Sequence, residues 1–219
     1  MIASHQFRIP AHTLQKHSIS KNEISALPLK HYTGYIHVID SDTKMKAAVR
    51  SLDRERVLGF DTETRPAFKK GESYHPSILQ LAASDGIYIF QIGRINSHKV
   101  LADILADKNV LKTGIAVSDD IRKLNDVFPF EPSGFIDLAG MAAKAGIKNA
   151  GIRGLAALLF GFRISKQTQC SRWDAPALTP AQIVYAATDA WVCREIYFAL
   201  LGILRKDGGK NGRETDRNR

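Results

Sequence analysis

The run Val57-Leu58-Gly59-Phe60 passes without a break into Asp61-Thr62-Glu63. A short, continuously apolar run bounded by polar residues reads as a strand covered on both faces, so it belongs inside a layered sheet. The strand period of two then places Asp61 and Glu63 on one face at the strand's end. Two carboxylates held that close repel. Unless water solvates both freely, one takes a proton or a cation sits between them. An oxygen-only donor set of this kind suits a hard divalent cation, Mg²⁺ or Mn²⁺. For this pair taken alone, a solvent-exposed strand end is the competing reading.

The pattern around this strand predicts the remaining layers. Tyr35-Ile36-His37-Val38-Ile39 reads as a strand, and Ser41 or Asp42 caps a helix to about residue 52 with Met45, Ala48, Val49 and Leu52 on its buried face. Pro66 and Gly71 mark a loop after the acidic pair. Residues 77–83 and 86–90, separated by Ser84-Asp85, have the form of a hairpin, which completes an antiparallel meander. A helix over 97–106 leads to a strand over 110–115, and helices follow near 118–127, 135–145, 151–160 and 180–203. Strands joined to crossover helices and followed by a helical half define a mixed α/β layer fold. Residues 1–33, interrupted by Pro10 and Pro28, form an extension that is packed on the domain or partly unstructured. Residues 34–204 form one domain. Residues 205–219 are glycine-rich and aperiodic, which predicts a disordered basic tail.

Lysine and arginine exceed aspartate and glutamate by 31 to 22, a net charge of +9, which favours a polyanionic partner such as nucleic acid. No apolar run approaches the roughly 20 residues of a membrane helix, so no membrane partner is expected. The N-terminus lacks the apolar core and small-residue cleavage site of a secretory signal. Cys170 and Cys193 cannot build a disulfide framework and lack the spacing of a thiolate metal site, which fits a cytoplasmic setting.

Two further acidic signals lie downstream. Tyr185 and Asp189 are one helical turn apart and share a face, where they flank a cleft or are simply a core tyrosine and a surface aspartate. Gly114-Ile115-Ala116-Val117-Ser118-Asp119-Asp120 puts two aspartates at a strand-to-helix transition with Ser118 as an N-cap. The helix macrodipole alone is enough to stabilise either aspartate, and spacing does not choose between them.

Taken in order, DTE, GIAVSDDIRKL and YAATDA resemble the DEDD 3′-to-5′ exonuclease superfamily, and the Tyr-x-x-x-Asp form resembles its tyrosine branch. The likeness covers roughly residues 35–203, including SILQLAA after the first motif. It is similar to ribonuclease D, to the exonuclease domain of the Werner helicase and to compact bacterial proteins made of little besides this domain. The resemblance implies a ribonuclease-H-like mixed sheet flanked by helices and hydrolysis of phosphodiester bonds from the 3′ end. It implies two divalent cations, Mg²⁺ or Mn²⁺, held by Asp61, Glu63, Asp120 and Asp189, with Tyr185 orienting or partly deprotonating the attacking water. Asp120, followed by Ile121 and then Leu124, fits the second motif better than Asp119.

Thr62, Lys69, Lys70, Lys166 and Arg172 are the accompanying substrate-binding candidates, with Trp173 either stacking a base or filling the core. DNA is favoured slightly over RNA. A ribonuclease D-like trimming of RNA, a phosphodiesterase of very short oligonucleotides and a catalytically silent nucleic-acid-binding module are the rivals.

Overall fold

A computed structural model of the chain describes residues 16–214, with side chains through residue 206. The elements in chain order are α1 (Lys21–Ala26), β1 (Ile36–Ile39), α2 (Asp42–Leu52), β2 (Val57–Glu63), β3 (Ile78–Ala82), β4 (Ile87–Gln91) and α3 (His98–Ala106). They continue with β5 (Leu111–Gly114), α4 (Val117–Val127), β6 (Phe135–Asp137), α5 (Leu138–Lys144), α6 (Ile152–Phe160) and α7 (Pro180–Glu214). The strands form one sheet in the order β1-β4-β3-β2-β5-β6. The expected meander is β2, β3 and β4, each antiparallel to the next, while β1 on β4, β5 on β2 and β6 on β5 are parallel. Among the described residues, no helix is long and apolar enough to cross a membrane.

β2 lies inside the sheet because both of its faces are apolar. Leu58 and Phe60 point into a core built with Met45, Leu101 and Leu124 of α2, α3 and α4. Val57 points the other way, into a core built with Leu138, Leu155, Ala187 and Ala190 of α5, α6 and α7. Alternation therefore turns Gly59, Asp61 and Glu63 toward α7. Gly59 is required there, since a Cβ at that position would stand 2.0 Å from the Ala190 carbonyl oxygen. That clearance, with fully buried Ala186, Ala187 and Ala190, lets α7 lie directly on β2.

Four expectations are corrected. Residues 135–137, read as the start of a helix, form edge strand β6: Gly134 turns the chain at φ 67, β6 pairs with β5, and Asp137 accepts from Ala139 N at 2.9 Å to cap α5. α4 begins at Val117, with Ala116 in the left-handed region as its N-cap, so Ser118 lies inside the first turn. The helix expected to end at 203 continues through Glu214, into the stretch read as an unstructured tail. Extending a helix already anchored by packing is far less costly than starting one. Residues 215–219 and 1–15 lie outside the described residues.

The fourth correction is α1, which no apolar period announces. A reciprocal capping box starts it, with Ser20 N donating to Glu23 Oε2 at 2.8 Å and Glu23 N to Ser20 Oγ at 3.3 Å. The described part of the extension is packed on the domain. Lys148 N donates to His17 O at 2.8 Å, Lys30 N to Arg163 O at 2.9 Å and Tyr32 N to Thr188 Oγ1 at 3.0 Å.

Candidate active site

Asp61 and Glu63 leave the end of β2 toward α7, and Asp189 meets them from the helix. One carboxylate oxygen from each of the three lies within 4.8 Å of the other two. Glu63 is 9% exposed and Asp189 6%. Among the described residues, no lysine or arginine forms an ion pair with any of the three. Three clustered, poorly hydrated carboxylates that no close ion pair neutralises among the described residues are an arrangement that protons or a metal cation must relieve. Oxygen-only donors of this kind fit a hard divalent cation.

Burial first, and then the charges of Asp61, Asp189 and Asp120, push Glu63 up to about 10. Burial raises Asp189 to about 7, against the opposing pull of the Tyr185 hydrogen bond and the Arg153 charge. Asp61 is held well above the usual carboxylate range, by burial and then by Asp189 and Asp120. The folded state thus binds these protons more tightly than the unfolded chain. Their stabilising contribution is complete below the unfolded values, near 4, and declines as pH rises toward about 7 for Asp189 and about 10 for Glu63. The metal-free protein is therefore expected to melt several degrees lower at pH 9 than at pH 5. Saturating Mg²⁺ should restore more at pH 9, because the cation replaces protons already lost. Differential scanning calorimetry at both pH values checks this, and a metal-free melting temperature that rises with pH would contradict it.

Tyr185 stands one turn before Asp189 and lines the same cleft, and burial with the Asp189 and Glu63 charges drives its phenol far above the ordinary value. The hydroxyl stays protonated. Asp120 Oδ1 accepts from Thr62 Oγ1 at 2.5 Å, so Thr62, itself 9% exposed, links the second acidic segment to β2. Asp119 points outward and pairs with Arg122 at 3.3 Å. The two neighbours left open by spacing are thus separated by orientation: Asp120 turns to Thr62 of β2, although it belongs neither to the three-carboxylate group nor to the residues lining the cleft.

The three carboxylates' cleft is a cavity of about 550 Å³, lined also by Thr62, Tyr185, Lys21, Arg153 and Lys166. A second cavity of about 230 Å³ shares Tyr185 and Asp189 and is walled by Leu29, Lys30 and His31. Of the cationic candidates, only Lys166 lines the cleft. Lys69 and Lys70 are exposed in the loop beyond β2, beside Phe68 at 85% exposure, and line neither cavity. Arg172 faces solvent and pairs with Asp174 at 3.6 Å. Trp173 is 1% exposed and has no face to offer a base. Its Nε1 donates to Gln169 O at 3.2 Å, and its ring lies 5.9 Å from that of Tyr185, which it supports from behind.

Lys21, Arg153 and the wall from the extension are absent from the sequence-based candidates. The Ser20-x-x-Glu23 box was the available signal for Lys21. Arg153 carries no local signal, since only the fold brings the first turn of α6 to the cleft.

The 3′-to-5′ exonuclease family matches residues 36–205, and the chain belongs to that family. It is 32% identical over 165 residues to the mouse exonuclease 3′-5′ domain-containing protein 2, covering 70% of this chain and 25% of that relative. It is 30% identical over 175 residues to the ribonuclease D of Gluconacetobacter diazotrophicus, covering 78% of this chain and 44% of the relative. The chain thus spans about a quarter to under half of these relatives' length. The crystal structure of the Aedes aegypti Nibbler EXO domain superposes with a TM-score of 0.73 at 25% identity, covering 81% of this chain and 93% of that one. The ribonuclease-H-like fold expected from the sequence is the one observed.

Proposed function

We propose that this chain removes nucleotides from the 3′ end of nucleic acid by hydrolysing the terminal phosphodiester bond in the cleft of Asp61, Glu63 and Asp189. The observation that carries the reading is the convergence of these three carboxylates, none of them in an ion pair among the described residues, in a cavity rimmed by Lys21, Arg153 and Lys166. Asp61, Glu63 and Asp189 would hold one divalent cation, Mg²⁺ or Mn²⁺, and Asp61 with Asp120 a second. Such cations, when bound, supply Lewis-acid polarisation of the phosphate and a water acidic enough to attack at neutral pH.

The chain's own residues account for the rest. Water forms the new bond to phosphorus and the bond to the 3′ oxygen breaks, releasing a nucleoside 5′-monophosphate and a strand shortened by one residue with a free 3′ hydroxyl. Tyr185, kept protonated and aimed by Asp189, orients the attacking water by hydrogen bonding rather than by taking its proton. On this reading the chain would act as a member of the tyrosine branch of the DEDD enzymes, which the Tyr185-x-x-x-Asp189 spacing supports. Thr62 fixes Asp120. Lys21, Lys166 and Arg153 neutralise the strand's phosphates as it enters.

Reversing Lys21 and Lys166 together to glutamate is expected to raise KM about tenfold, the equivalent of about 1.4 kcal/mol, and to flatten its salt dependence while kcat stays within about twofold. Steady-state kinetics at two ionic strengths checks this. An unchanged KM would remove the extension from the substrate path.

For the sugar, DNA is the first assignment and ribonuclease D-like trimming of RNA the second, the latter supported by the 30% identity to a ribonuclease D. Digestion of matched DNA and RNA, single-stranded and 3′-recessed, with Mg²⁺ or Mn²⁺ separates the two. Binding of both without shortening of either, in the presence of either metal, would establish the silent module instead.

A further inference from the structure

Gln80 lies in the middle of β3 and is 0% exposed. Neither its Nε2 nor its Oε1 has a hydrogen-bond partner. Its neighbours on the same face of β3 are Ile78 and Ala82, and across β4 it stands opposite Ile89, all members of the α7-side core. Across β2 it stands opposite Asp61. Residues directly opposed on an antiparallel pair carry their side chains on the same face, with Cβ atoms roughly 4.5–5.5 Å apart. Of the residues directly opposite Gln80 or beside it on its face of β3, the one polar side chain is therefore that of Asp61, with Glu63 and Gln91 standing diagonally farther off. An amide buried without partners costs stability that an apolar side chain of the same shape would not. Leu or Met would fill this position at least as well if packing were its purpose.

We propose that Gln80 is a positioning residue for Asp61. When a cation is held in the cleft, its Nε2 donates to the Asp61 carboxylate and fixes the direction in which that carboxylate presents its other oxygen. The inference rests on the cation-holding role given to Asp61 above. It goes beyond that role by assigning a task to the glutamine of the SILQLAA stretch, which the hydrolytic mechanism leaves unused. Removing an outer hydrogen-bond partner of a ligand weakens metal binding or activity by roughly 10–100-fold in comparable sites.

Gln80→Met and Gln80→Leu test this, with Mn²⁺ binding followed by titration calorimetry and metal-free melting followed separately. The expected result is a metal-free melting temperature equal to or above that of the parent, with Mn²⁺ affinity reduced about tenfold or more. In turnover assays kcat should fall by a similar factor, while KM for the nucleic acid stays within about twofold. A merely structural glutamine gives the opposite pattern. A folded variant that binds Mn²⁺ as tightly as the parent overturns the proposal, as does failure of both variants to fold. The parent titration separates the two levels of inference. A parent that binds no Mn²⁺ overturns the cation reading and this proposal together, whereas undiminished binding by the variants overturns the Gln80 assignment alone.

Discussion

Asp61→Ala is expected to lose at least about a thousandfold in hydrolysis while keeping its fold. The loss corresponds to several kcal/mol of charge stabilisation at the phosphate. Asp61 takes the largest share because it is the one carboxylate assigned to both cations. Its removal does not disturb the core. The side chain lies near the end of β2, its Oδ1 accepts from the adjacent Thr62 N at 3.0 Å, and it contributes repulsion to Glu63 and Asp189. In the metal-free protein at pH 8 the variant should melt no lower than the parent, and Glu63 should titrate at a lower pH. Circular dichroism, melting and turnover measured on one preparation check both halves. A variant that is inactive because it is unfolded would contradict the account as surely as one that still turns over.

Tyr185→Phe is expected to lower kcat about a hundredfold, the scale on which misplacing a reacting group is felt, with Mn²⁺ affinity and KM within about twofold. Phenylalanine keeps the ring against Trp173 and loses only the hydroxyl. Deprotonation of Tyr185 is opposed by burial and by the neighbouring carboxylates. The parent's kcat should therefore show no alkaline limb assignable to a phenolate, and the variant should keep the parent's pH profile at a lower level. Stopped-flow or single-turnover measurements from pH 6 to 9 decide this. A rise of kcat with pH that is present in the parent and lost in the variant would make the tyrosine a general base instead.

The inner strand was legible because Val57 to Glu63 combines a two-sided apolar run with a period of two, so both the sheet position and the shared face of Asp61 and Glu63 follow from local chemistry. Tyr185 and Asp189 were legible for the equivalent reason on a helix. That α7 brings Asp189 within reach of β2 was not, because it depends on Gly59 leaving room beneath Ala190, a contact between residues far apart in the chain. Asp120 and Asp119 were indistinguishable by spacing. The Thr62 hydroxyl on one side and Arg122 on the other separate them in space. Trp173 was open between stacking a base and filling the core, since it stands beside basic residues and an indole is also the largest filler a core can use; the core reading holds, and the ring packs near Tyr185. The extension's part in the cleft was hidden because α1 is short and shows no buried residue of its own, so no apolar period marks it.

The central claim is that the acidic cleft hydrolyses nucleic acid from the 3′ end with divalent cations. Its most direct test is a time course on a 5′-labelled single strand with Mg²⁺, run beside the same reaction in excess chelator and beside Asp61→Ala. The account predicts a ladder that shortens one nucleotide at a time with the label retained, release of nucleoside 5′-monophosphates, and no shortening in either control. Early release of the label as a mononucleotide, internal cuts, or an undiminished ladder in chelator or in Asp61→Ala would contradict it.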